Sequence, residues 1–195
     1  CWLTTVVPRH RTGSAASSLR SRSSLSVPRW ARSSFAIRSP FRYSLPPTDR
    51  VYWPFYVKAL ELDIPVSMNA GMPGPRRPGW VQNPMYYDEV AFNFPELRIV
   101  MTHCGQPWTD ETLSVIAHWD NVYMACTAVA PKYWPGAFVQ FINTRGREKM
   151  LFGTEYPTIP WDRAREEIDG LGIRPEVAPL FFRENAERVF KWSVG

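Results

Sequence analysis

The sequence contains few of the residues that build disulfide-bonded, zinc-finger or membrane proteins. It has three cysteines and three histidines among 195 residues, and no two cysteines are spaced as C-x-x-C. The odd cysteine count and the missing spacing argue against a disulfide framework or a zinc knuckle and favour a reducing compartment. No apolar run approaches the roughly 20 residues that span a bilayer. We therefore expect a cytoplasmic protein with no membrane association.

Acidic residues and lysine are nearly absent from the first 50 residues. This segment has nine arginines, no lysine and one acid, Asp49, whereas the rest of the chain has 14 basic and 17 acidic residues. The net charge of +5 therefore arises from the amino-terminal segment alone. Residues 1–44 are also rich in serine and show no hydrophobic period, so no secondary structure is predicted for them.

Three interpretations of residues 1–44 remain open. An arginine- and serine-rich leader is typical of an organelle transit peptide, although this chain begins at Cys1. A basic tail would contact nucleic-acid phosphates without specificity, so we expect no specific nucleic-acid partner. The composition also fits an out-of-frame translation, which we favour because the pattern changes abruptly afterwards. We accordingly predict a disordered or out-of-frame segment at 1–44 that is not part of the fold, and a folded domain at 45–195.

Short apolar runs alternate with amphipathic stretches from residue 45 onwards. Four runs predict strands, at residues 64–68, 98–102, 121–126 and 149–152. Helices are predicted at residues 49–62, 83–92, 109–119, 135–146 and 162–171, with one or two more before the carboxyl terminus. Strands that alternate with helices at this spacing form parallel βα units with right-handed crossovers. The fold class is therefore α/β.

One polar residue stands just after the end of each predicted strand. These residues are Asn69, His103, Thr127 and Glu155. The carboxyl ends of parallel strands share one edge, where catalytic groups sit. Each residue also has a structural interpretation, namely a turn residue for Asn69, a buried imidazole for His103, and a helix cap or loop group for Thr127 and Glu155. Trp108 follows His103 closely enough to wall a pocket. The joint pattern predicts a functional site at this edge.

Five stretches resemble the carboxyl-terminal half of the amidohydrolase-related family: IPVSMNAG, FPELRIVMTHCGQPW, NVYMACT, LFGTEYP and RENAERVF. This family comprises metal-dependent TIM-barrel hydrolases and decarboxylases of the aminocarboxymuconate-semialdehyde decarboxylase type. The resemblance covers about residues 45–192, and its most specific pieces are the His-x-Gly after FPEL and the FGT-acid-YP turn. It implies a partial (β/α)8 TIM barrel consisting of about the last four βα units.

The resemblance also implies the roles of individual residues. His103 stands where the family has its sixth-strand histidine, Glu155 where it has its eighth-strand aspartate, and Asn69 where it has a fifth-strand ligand. The family's His-x-His is absent. The implied cofactor is a divalent metal, zinc in the parent family, with His103 and Glu155 as both metal ligands and catalytic residues. The predicted substrate-binding residues are Asn69, from its matched position, and Trp108, from its place close after His103 in the sequence.

The implied function is a metal-dependent hydrolase that attacks a small carboxylated molecule with a metal-activated water. Non-oxidative decarboxylation at the same site is an alternative. A non-catalytic fragment that has lost the metal site is another, since one imidazole and one carboxylate are fewer than the three protein ligands of a catalytic zinc. Half a barrel would expose sheet edges and an apolar strand face, so we also expect self-association.

Overall fold

The fold is a parallel β-sheet with helices between its strands. The computed structural model describes residues 35–36 and 40–191. The five strands found in these residues follow each other in chain order across the sheet, and each neighbouring pair is parallel. They are β1 (Phe35–Ala36), β2 (Val66–Asn69), β3 (Ile99–Thr102), β4 (Val122–Cys126) and β5 (Met150–Phe152).

Within the described residues, six α-helices lie between and after the strands. They are α1 (Trp53–Glu61), α2 (Tyr86–Asn93), α3 (Thr109–His118), α4 (Gly136–Ile142), α5 (Trp161–Asp169) and α6 (Asn185–Phe190). A π-helical turn, Leu180–Glu184, leads into α6. Within the part of the chain that the structure describes, no helix is both long and apolar enough to cross a bilayer.

The parallel α/β arrangement and all four predicted strands are confirmed, with ends that differ from the predicted ones by at most two residues. The structure adds β1, whose Phe35 and Ala36 are in register with Val66 and Ser67 of β2. The sheet therefore begins before residue 45, where the sequence analysis places the start of the fold. A strand of two residues carries no hydrophobic period, so its pairing depends on the free edge of β2. Residues 1–34 and 37–39 lie outside the described residues.

Side-chain hydrogen bonds lie at the turn that leads into α1 and at the end of α4. The Asp49 carboxylate accepts a hydrogen bond of 2.9 Å from the Val51 N–H, capping the short 3-10 turn that leads into α1. Helix α4 ends at Ile142, several residues before the predicted end. The next residue, Asn143, donates to the Gly172 carbonyl and accepts from the Arg174 N–H, each at 2.9 Å. Because these contacts hold Asn143 against a distant loop, the chain does not continue as a helix.

The two faces of the sheet bury different sets of residues, as expected for a parallel sheet. One face of β2, β3 and β4 meets the helices. On this face the strand residues pack against four aromatic side chains, Tyr56, Tyr87, Phe138 and Phe181; the strand residues are Val66, Met68, Ile99, Met101, Val122 and Met124. On the opposite face, Val100, Tyr123 and Leu151 pack against Val189 of α6. Helix α6 therefore covers part of the face that α1 to α4 leave open.

Asn185, at the start of α6, joins that helix to β5. Its side chain is fully buried and donates hydrogen bonds of 2.8 Å to the carbonyls of Arg147 and Met150. We expect Asn185→Ala to lower the free energy of unfolding by about 2–3 kcal/mol, because a buried and a partly buried backbone acceptor both lose this donor. Urea denaturation measures the change. Asn93→Ala is the control, since the exposed Asn93 bonds only within its own helix and should cost less than about 0.5 kcal/mol. Equal losses would contradict the role given to Asn185.

Candidate active site at the carboxyl edge of the sheet

The strand registers bring the predicted polar residues to one edge of the sheet. Asn69 at the end of β2 is in register with Thr102, and Thr102 is in register with Ala125 of β4. Cys126 is in turn paired with Phe152, the last residue of β5. The residues that follow β3, β4 and β5 therefore emerge beside Asn69, at the carboxyl ends of parallel strands.

His103 and Glu155 form the centre of this edge. The imidazole Nε2 of His103 lies 3.4 Å from the carboxylate Oε1 of Glu155. Both side chains are largely shielded from solvent, with 16% and 24% of their surfaces exposed respectively. His103 follows β3 and Glu155 follows β5, and β4 lies between them in the chain. The two side chains meet because both strands belong to the same parallel sheet.

The imidazole favours the charged form of the Glu155 carboxyl group. A hydrogen bond from His103 lowers the pKa of Glu155 below the usual value for a glutamic acid, and this effect outweighs the opposing effect of burial. A glutamic acid is already a carboxylate at neutral pH, and this shift extends the ionised range of Glu155 to lower pH. A partly buried carboxylate that faces an imidazole can accept and return a proton, which is the requirement for general acid–base chemistry.

The backbone is left-handed after each of the last three strands, at residues that are not glycine. His103 has φ 71°, Ala128 has φ 64° and Glu155 has φ 56°. A left-handed conformation costs a residue with a Cβ about 1–2 kcal/mol. Such conformations cluster at functional sites because the surrounding structure holds them in place. Two of the three positions carry the central pair of this edge.

Hydroxyl groups on neighbouring strands hold the edge together. The Thr127 Oγ1 accepts a hydrogen bond of 3.1 Å from the His103 N–H. The Thr102 hydroxyl donates to the Asn69 Oδ1 at 3.0 Å, and the Tyr87 hydroxyl donates to the Asn69 carbonyl at 2.7 Å. Thr127 therefore positions the backbone of His103, while the amide oxygen of Asn69 already accepts a hydrogen bond within the sheet.

Trp108 lies at the amino end of α3, just after the turn that contains His103. Its N–H donates to the Gly105 carbonyl at 3.0 Å, and its carbonyl accepts from the Thr112 hydroxyl at 2.6 Å. Gly105 has φ 66°, and a Cβ there would lie 1.9 Å from the Thr112 Oγ1. The turn thus packs directly on α3. A role of Trp108 or Asn69 in substrate binding stays a prediction.

Sequence reasoning missed the bonds that tie the loop after β2 to the His103 turn. The Gly71 N–H donates to the Gln82 carbonyl at 2.9 Å, and the Gln82 side chain donates back to the Gly71 carbonyl at 2.7 Å. The Met72 N–H donates to the Gln106 carbonyl at 2.7 Å. Gln82 is fully buried. A glutamine between Val81 and Asn83 gives no sequence signal for such a role.

The spacing of two donor atoms at this edge is compatible with two ligands of a metal ion. His103 Nε2 and Glu155 Oε1 are as far apart as two neighbouring ligands of a tetrahedral ion with bonds of about 2.1 Å. A catalytic zinc site uses three protein ligands, and residues 35–36 and 40–191 contain no group of three His, Cys, Asp or Glu side chains that could hold a metal. The described residues alone therefore do not complete such a site.

Comparison with known proteins identifies related sequences. The family model described as amidohydrolase matches residues 32–192. A 2-keto-4-carboxy-3-hexenedioate hydratase from a Sphingobium species is 26% identical over 186 residues. The alignment covers 74% of this chain and 51% of the hydratase, so the chain spans about half the length of this curated relative.

Solved structures share the fold. A TIM-barrel protein from Bordetella bronchiseptica superposes with a TM-score of 0.68 at 31% identity, covering 75% of this chain and 52% of that protein. A dihydroxybenzoic acid decarboxylase from a Polaromonas species, with bound manganese and an inhibitor, gives a TM-score of 0.55 at 17% identity, covering 75% and 55%. These superpositions confirm a partial TIM barrel as the fold class.

Proposed function

Because this chain belongs to the amidohydrolase family, we propose that it activates a water molecule for attack on a small carboxylated substrate, with Glu155 as the proton-transfer group. The observation that carries the proposal is the His103–Glu155 pair at the carboxyl edge of the sheet. Family membership also confirms the resemblance drawn from the sequence motifs. The hydrolytic reaction itself and the substrate are part of the proposal.

Glu155 and His103 have different roles in the proposed reaction. Glu155 is ionised and partly shielded from solvent, so it can take a proton from a water molecule beside it and later return that proton to the leaving group. His103 faces the same carboxylate and stabilises its charge. General acid–base transfer of this kind contributes about 10²- to 10⁴-fold to the rate. Both residues have a left-handed backbone, and their side chains face each other at 3.4 Å.

A divalent cation is part of the proposal. His103 and Glu155 would supply two of its ligands, and the others would come from water or from residues outside those described. When bound, such an ion lowers the pKa of a bound water and polarises a substrate oxygen. The manganese in the Polaromonas decarboxylase is consistent with a divalent metal in proteins of this fold. Zinc, which the sequence resemblance implies, stays a prediction.

Decarboxylation at the same edge is the second candidate, because the same pair could deliver a proton to the carbon that carbon dioxide leaves. The curated relative favours the water chemistry, since a hydratase adds water to its substrate. Both reactions use a carboxylated molecule. They differ in whether the product gains the elements of water or loses carbon dioxide.

Mass spectrometry of products formed in ¹⁸O-labelled water separates the candidates. The protein is incubated with zinc or manganese and a panel of carboxylated compounds that includes 2-keto-4-carboxy-3-hexenedioate and dihydroxybenzoic acids. We expect a product that has incorporated labelled water, formed faster than in a metal-free control. A product lighter by carbon dioxide would replace the hydrolytic proposal with a carboxy-lyase. Turnover no faster than without protein would favour a non-catalytic role.

A further inference from the structure

The loop after β2 leaves the sheet at the active-site edge and contains two adjacent arginines, Arg76 and Arg77. Residues 72–79 leave the sheet directly after Gly71, and the first of them, Met72, is hydrogen-bonded to Gln106 in the turn after His103. Gln82 closes the base of the loop through two hydrogen bonds with Gly71. The base of the loop is therefore fixed to the backbone segment that carries His103.

Arg76 and Arg77 occupy the exposed part of this loop. No aspartate or glutamate occurs between Asp63 and Asp88, so the loop has no acid of its own to neutralise them. Among the residues that the structure describes, neither arginine forms an ion pair, whereas Arg98, Arg163, Arg165 and Arg183 each face a carboxylate. Two adjacent guanidinium groups are thus available to an anion from solution.

The central pair creates a need for such charge. Glu155 places a carboxyl group at this edge, so a substrate carboxylate beside it meets a group of like charge and not a binding partner. One substrate carboxylate can be balanced at the reaction centre by a cation there. A second carboxylate, farther out, needs a separate positive partner. The substrate named for the curated relative carries three carboxylates.

We propose that Arg76 and Arg77 form an arginine arm that binds an outer carboxylate and selects polycarboxylate over monocarboxylate substrates. This inference rests on the proposed function and names the substrate class of the same site. Guanidinium groups suit the task because they bind carboxylates with two parallel hydrogen bonds and stay charged at every relevant pH. The exposed apolar side chains of Met72, Trp80 and Met85 flank the loop and offer contact to the carbon skeleton.

Calorimetric titration with two unreactive probes tests the arm. Isophthalate and benzoate differ by one carboxylate, and each is titrated into the full chain at fixed ionic strength. We expect wild type to bind isophthalate about tenfold more tightly than benzoate. The variant R76Q/R77Q should lose this preference. The variant R145Q/R147Q should keep it, because it removes the same charge from exposed arginines that line an open cavity of about 580 Å³ near the amino end of β5.

The outcomes are distinct. A preference for isophthalate that survives in R76Q/R77Q, or that is lost equally in R145Q/R147Q, would overturn the arginine arm. Absence of any preference in wild type would overturn it as well. Failure of the proposed function is observed separately, as absence of turnover in labelled water, and it would leave a demonstrated binding preference in place. Conversely, turnover of a polycarboxylate with an unchanged KM in R76Q/R77Q would reject the arm and retain the reaction.

Discussion

Glutamine in place of Glu155 should reduce turnover by about 10²- to 10⁴-fold, the usual contribution of a general base. The amide has the size and shape of the carboxylate but cannot accept the proton. Glutamine and glutamate pay the same cost for a left-handed backbone, so the φ of 56° adds no new strain. Initial rates in labelled water measure the loss, and thermal unfolding should show an intact fold.

A matched variant distinguishes the loss of the proton-transfer group from the loss of one negative charge. Glu148→Gln makes the same substitution at an exposed glutamate next to β5, at the opposite end of that strand from Glu155. This variant should turn over at the wild-type rate. If both variants lose activity equally, or if Glu155→Gln stays fully active, Glu155 is not the proton-transfer group.

The pH profile gives the same residue a second readout. The acid side of the profile reports the protonation of Glu155, whose pKa His103 lowers by its hydrogen bond. Wild-type kcat/KM should therefore fall only below the usual range of a glutamic acid. In His103→Gln the imidazole is gone, so the fall in the remaining activity should move to higher pH. An acid limb that stays in place would show that another group controls it.

Alanine at Gly71 should lower the free energy of unfolding by about 2–4 kcal/mol and displace the turn that carries His103. Gly71 has φ 97°, a conformation that residues with a Cβ rarely adopt. The added Cβ would lie 2.7 Å from the Gln106 carbonyl oxygen and 2.9 Å from the Gly105 carbonyl carbon. Both atoms are backbone and cannot swing aside. Urea denaturation and the initial rate measure the two effects.

Gly74 provides the control in the same loop. A Cβ at Gly74 would have no atom within 4 Å, and its φ is not left-handed. Gly74→Ala should therefore change stability by less than about 1 kcal/mol, in the stabilising direction, because alanine reduces the freedom of the unfolded chain. Similar losses for the two variants would mean that the loop, rather than the close contact with Gln106, sets the stability.

The features that the sequence predicts are those with a local signal. Apolar runs of four to six residues identify β2 to β5, since β3, β4 and β5 bury residues on both faces and β2 buries Val66 and Met68 on one. Parallel topology then places His103 and Glu155 at one edge without any knowledge of their distance. The motifs around these two residues also identified the family correctly.

The features that the sequence did not predict depend on distant partners. Strand β1 has two residues and exists through its pairing with β2. Asn185 reaches Met150 across 35 residues, and the end of α4 is set by bonds between Asn143 and a loop about 30 residues away. No pattern within either segment encodes such a contact. The exchange of hydrogen bonds between Gly71 and Gln82 is missed for the same reason.

The left-handed backbone at His103 and Glu155 lowers the free energy of unfolding while it carries the two side chains of the proposed reaction. A sequence optimised only to fold would carry glycine at both positions, relieving about 1–2 kcal/mol at each. An engineer who wanted an inert, robust scaffold could therefore make those two changes. The same two changes would erase the imidazole and the carboxylate, so the protein retains its side chains here at the expense of thermal resistance.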